Sequence, residues 1–229
     1  MITVFYSFNI DMLYISIGMM LMLSAILSFA VYKNSHLRGG AKTGAILAVA
    51  FGLLAVGEWL AAFGIGYYDS LVLQYAKSAT VIGGSFCFLY CAWQHKPPKV
   101  KTFRSFYFSY VVLTLFSLLS LTLPYIARDV VELSGRHSLL LFLQKAIVLL
   151  PATLFFVFHG LSPAGMDKQR WIRLFFPLPI LAFLLAVGPS SGITAALENH
   201  DPNLAWWGEG ILLARLLGAL ILTGILWRR

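Results

Sequence analysis

The sequence predicts an all-α integral membrane protein: a single bundle of seven transmembrane helices over residues 1–229, with the N-terminus outside and the C-terminus in the cytoplasm. Three observations predict it. Only 11% of the residues are charged and 59% are hydrophobic, whereas soluble domains are about a quarter charged. Seven apolar runs each reach the roughly 20 residues that a helix needs to cross a bilayer. Lys and Arg concentrate in alternate loops, as multi-pass topology requires.

The runs cover residues 10–32, 43–67, 70–94, 105–126, 138–160, 172–190 and 209–227. The stretch before and into the first has no basic region and no small-residue cleavage site, so this run is expected to stay as an anchor and not to be removed as a signal peptide. "KNSHLRGGAK" separates the first from the second, and its Gly39–Gly40 pair reads as a turn. The second run holds "FGLLAVGEWLAAFG", with Glu58 near its middle. In the third, Gly83–Gly84 reads as a close-packing position. Cys87 and Cys91 fall four apart on one helical face, and read as small packing residues in a place where no disulfide framework is expected. "QHKPPKVKTFR" leads to the fourth run and "LSPAGMDKQRW" joins the fifth to the sixth. Pro151 in the fifth and Pro177 and Pro179 in the sixth predict kinks, because each removes a backbone hydrogen bond inside a span. The longest loop, "SSGITAALENHDPNLAWWGEG", precedes the seventh run, with Trp206 and Trp207 as interfacial anchors.

Orientation follows from the charges. Lys33, Arg38, Lys42, Lys96, Lys99, Lys101, Arg104, Lys168, Arg170, Arg173, Arg228 and Arg229 fall on one side, which makes 12 of the 17 basic residues. The other side holds Arg128 and Arg136 with most of the acids: Asp11, Asp69, Asp129, Glu132, Glu198, Asp201 and Glu209. The net charge of +8 is therefore a topology signal, and no nucleic-acid partner is expected.

Four charges remain inside the runs: Glu58, Lys77, Lys145 and Arg215. They lie seven to nine residues from the outer boundary residues Tyr67, Asp69, Ser138 and Trp206, respectively, or about 10–14 Å at 1.5 Å per residue. Four helices thus contribute to one layer. Intramembrane ionisable groups face the bundle interior and pair with one another. Glu58 is the layer's single acid, and Arg215 suits it best, since a guanidinium grips a carboxylate bidentately and keeps its charge. Gln74, Tyr75 and Gln144 lie near the same level. Three cations against one anion admit a structural network with one lysine neutral, or a site open to the outside for a carboxylate, phosphate or lipid headgroup, or an ion path. Lys145 can also snorkel to the headgroups.

His36, His95, His137, His159 and His200 sit at helix ends or in loops without i, i+4 ligand spacing, so neither haem nor metal is expected. No cofactor and no catalytic residue are expected, since hydrolase and metalloprotease motifs are missing.

"FGLLAVGEWLAAFG", with its Glu58–Trp59 pair, resembles a segment in the N-terminal multi-helix sensory regions of bacterial membrane histidine kinases and diguanylate cyclases. "GEGILLARLLGALI", with Arg215, resembles the last helix of those regions. The resemblance implies signal reception, a bacterial inner-membrane location and seven helices. It adds Trp59 to the site. After "LWRR" no kinase, cyclase or PAS domain follows, so a separate cytoplasmic output partner, or the sensory part alone, is expected. The other partners expected are membrane lipids, a small anionic or polar ligand, and a second copy of the chain. The rival reading is a small transporter or channel with an anion-binding cationic layer.

Overall fold

The structure, a computed structural model, describes residues 2–33, 40–63, 71–95, 111–112, 115, 146, 148–158, 169, 172, 175–186 and 206–227. Six helices lie among them: α1 (Ile2–Lys33), α2 (Gly40–Phe63), α3 (Leu71–His95), α4 (Val148–Phe158), α5 (Pro177–Ala186) and α6 (Trp206–Trp227). Of the run 105–126 only Val111, Val112 and Leu115 are described, and all three are helical. The seven-helix count and the placement of the loops lie outside the described residues.

The chain is all-helical among these residues, and three stretches are long and apolar enough to cross a membrane: Asp11–Val31, Lys42–Ala62 and Gly210–Trp227, with mean hydropathies of 2.1, 2.0 and 2.0. The polarity of the bundle is inverted relative to a soluble protein. Met19, Ile26, Leu217 and Ile221 face outward, while Ser24, Ser28, Glu58, Arg215 and Thr223 are buried. In water this arrangement forfeits the hydrophobic effect; in lipid, which satisfies no polar group, it is the stable one. Together these features support a membrane-embedded protein.

α1 begins at Ile2, well before its apolar run. Hydropathy reports the part of a helix that meets lipid, and the hydrogen-bond ladder continues past it. Phe175 is helical, Phe176 forms a turn and α5 starts at Pro177, so the helical run is interrupted at the first of the two prolines expected to kink it, and Pro179 follows in the first turn of α5. The residue before a proline is driven out of helical geometry, which places the turn at Phe176. At Pro151 the helix continues on both sides.

Pairwise contacts fix the directions. Tyr14 of α1 lies at the level of Arg215 in α6, and Ser24 bonds Thr223 at 2.9 Å, so α1 and α6 are parallel. The second contact is wholly polar: the Thr223 hydroxyl also reaches the Met20 and Ala219 carbonyls, at 3.2 and 2.7 Å. α2 runs opposite to α3, since Gly57 faces Thr80 and the Cys91 thiol reaches the Thr43 carbonyl at 3.9 Å; Trp59 of α2 reaches Ile15 of α1. A Cβ on Gly84 would sit 3.2 Å from the Ala50 carbonyl oxygen, so the missing side chain lets α3 approach the α2 backbone. α4 is parallel to α3 and α5 antiparallel to α6.

A row of aromatic rings crosses the bundle. Phe51, Phe88, Phe156 and Phe175 stack edge-on or tilted, with successive centroids 5.5, 5.5 and 5.8 Å apart. The row lies about two helical turns from Glu58 along α2 and forms an apolar floor beneath the charged layer.

Candidate functional site

Glu58 and Arg215 meet. Arg215 Nη1 donates to Glu58 Oε2 at 3.1 Å, with the residues 1% and 6% exposed, respectively. The residues lie 157 positions apart and come from α2 and α6. Arg215 is among the largest fully buried side chains described.

The other donors of the guanidinium go elsewhere. Nε donates to the Leu184 carbonyl at 2.7 Å and Nη2 to the Leu185 carbonyl at 3.2 Å. Both belong to the last described turn of α5. The residue four beyond Leu185 is Pro189, which has no N–H to offer. The Tyr14 ring of α1 lies 5.9 Å from the guanidinium carbon, within cation–π range. One side chain therefore ties α6 to α1, α2 and α5 at a single level.

Lys77 of α3 joins this level. It lies within electrostatic reach of Glu58 and Arg215, and it lines a small cavity with Leu54, Gly57, Glu58, Val81, Leu149 and Leu185. The cavity offers about 10 Å³ to the centre of a water-sized sphere, the lower edge of what one water needs. Its walls come from α2, α3, α4 and α5. Thr80, one turn from Lys77, donates to the Lys77 carbonyl at 2.8 Å, and a Cβ on Gly57 would come within 2.7 Å of that hydroxyl. Gly57 therefore lets α3 approach α2 beside Glu58.

Trp59 turns away from the cavity toward α1. Its indole N–H points at the Ile15 carbonyl at a long 3.4 Å, and its ring covers Gly18. A side chain at Gly18 would collide with that ring. Trp59 thus fixes the rotation of α2 that aims the neighbouring Glu58 at Arg215. Lys145, Gln144 and the side chains of Gln74 and Tyr75 lie outside the described residues.

The sequence reading did not identify the Leu184 and Leu185 carbonyls, Tyr14, Gly18 or Gly57. Pro189 was a usable signal for one of them: a helical carbonyl four residues before a proline needs a donor from another part of the chain. No protein-family model, curated protein or solved structure matches the chain.

Proposed function

We propose that this chain is a sensory module of a bacterial inner membrane, receiving an outer-side or in-membrane stimulus at the Glu58–Lys77–Arg215 level and passing it along α6 to a cytoplasmic output. One observation carries the reading: Arg215 is the shared partner of three other helices and sits on a rod that continues twelve residues to Trp227. A change in the charge or the partner of Glu58 is thereby converted into a change in how α6 is held. Switches of this type need a packed element with two arrangements and a local charge event that favours one of them.

The proposal includes seven helices, N-terminus out and C-terminus in. The parallel α3 and α4 support a return crossing between His95 and Val148, and run 105–126 is apolar enough to supply it. The parallel α1 and α6 likewise support an odd number of crossings. The basic loops support a C-terminal side in the cytoplasm. The likeness of the Glu58–Trp59 stretch and of the Arg215 helix to kinase and cyclase sensory regions points in the same direction.

The test is a distance measurement. Spin labels at Lys42 and Trp227, both exposed and both at the bundle end away from the ion pair, report the spacing of α2 and α6 in nanodiscs. Glu58→Gln and Arg215→Gln are each expected to shift that distance distribution. If both leave it unchanged, the sensory reading is wrong.

A further inference from the structure

The small cavity beside Glu58 limits what kind of guest can sit between Glu58 and Lys77. Five of its seven lining residues are apolar or glycine: Leu54, Gly57, Val81, Leu149 and Leu185. The other two are Glu58, an acceptor, and Lys77, a donor. Its space, about 10 Å³ for the centre of a water-sized sphere, matches one water. A carboxylate, a phosphate or a lipid headgroup brings at least three heavy atoms and does not fit. The Glu58 carboxylate on the wall would also repel an anion.

We propose that this cavity holds one ordered water, which donates to the Glu58 carboxylate and accepts from the Lys77 ammonium, and that water is the guest between these two groups in place of an organic anion or a lipid headgroup. A buried water persists where two or more polar groups converge in a space of its own size, and apolar cavities of that size stay dry. The water links α3 to the α2–α6 ion pair, so that Lys77, Glu58 and Arg215 form one hydrogen-bonded chain across three helices. This deepens the sensory reading and takes its functional meaning from it, whereas the water itself is a separate claim.

Radiolytic hydroxyl labelling in ¹⁸O water, performed on the full chain in nanodiscs, tests it. Side chains touching a bound water take up the isotope even when buried. In the unaltered protein Leu54, Val81 or Leu149 is expected to be labelled, while Phe51 and Phe88 of the aromatic floor stay unlabelled. Val81→Leu, which adds one methylene to the wall, and Lys77→Met, which removes one polar partner, are each expected to abolish the labelling of Leu54 and Leu149. Two variants keep the test valid if one fails to fold. Absence of label at all three lining residues of the unaltered protein overturns the proposal. So does a labelling pattern that added phosphate or acetate suppresses, since the layer would then take an anion. Neither result touches the spin-label distances, so loss of the water and loss of the sensory reading are separately visible.

Discussion

Glu58→Gln is the most informative single change. The amide keeps the shape of the side chain, and its oxygen can still accept from Arg215 Nη1, so packing and hydrogen-bond count are preserved. The charge is what disappears. Two cations, Lys77 and Arg215, then share the layer without the described acid. Coulomb's law at 3.1 Å and an effective dielectric of about 20 gives an attraction of roughly 5 kcal/mol. Breaking a buried pair from one side typically costs about 3–5 kcal/mol, because the remaining charge is left uncompensated. The expected loss is therefore about 3 kcal/mol or more, some two decades in the folding equilibrium. Arg215→Gln acts differently. It leaves Lys77 near the carboxylate but strips donors from Leu184 and Leu185, each worth about 1–3 kcal/mol when buried and unsatisfied. The assay is reversible unfolding in bicelles by denaturing detergent or a steric trap. A cost below about 1 kcal/mol for Glu58→Gln, the range of an exposed pair, would refute the reasoning.

Arg215→Lys keeps the charge but cannot span acceptors on two helices with one ammonium; it is expected to destabilise by about 2 kcal/mol in the same assay. Gly18→Ala drives a methyl into the Trp59 ring and is expected to cost about 1–3 kcal/mol, with recovery in the Gly18→Ala/Trp59→Phe double variant; no recovery would separate Gly18 from Trp59. Ser24→Ala removes the hydroxyl that meets Thr223, which keeps its bonds to Met20 and Ala219, so the expected cost is about 0.6 kcal/mol, the usual size of an interhelical hydrogen bond in a membrane. Proteoliposomes containing the chain are expected to show no flux of chloride, phosphate or acetate; sustained flux would favour the transporter reading.

How much of this was legible in the sequence depends on the kind of signal. A charge inside an apolar run is conspicuous, and depth counted from the run ends brings Glu58, Lys77 and Arg215 to one level without coordinates. The acceptors on Leu184 and Leu185 were hidden because they are backbone atoms, which every residue carries. Gly18 and Gly57 were hidden for another reason: a glycine that makes room for a neighbour looks no different from one in a flexible stretch until that neighbour is known. In the sixth run the prolines were the legible signal: the helical residues on either side of Phe176 are broken by a turn directly before Pro177. Ser24 and Thr223 carry no charge and sit among apolar residues, so nothing singled them out before α1 and α6 were seen to be parallel.

The account depends on Glu58 and Arg215 acting on each other, not merely lying close. A double-mutant cycle over Glu58→Gln, Arg215→Gln and the pair, measured by unfolding in bicelles, isolates that term. A coupling of about 1.5–3 kcal/mol is the predicted result, and additivity within about 0.5 kcal/mol would contradict it.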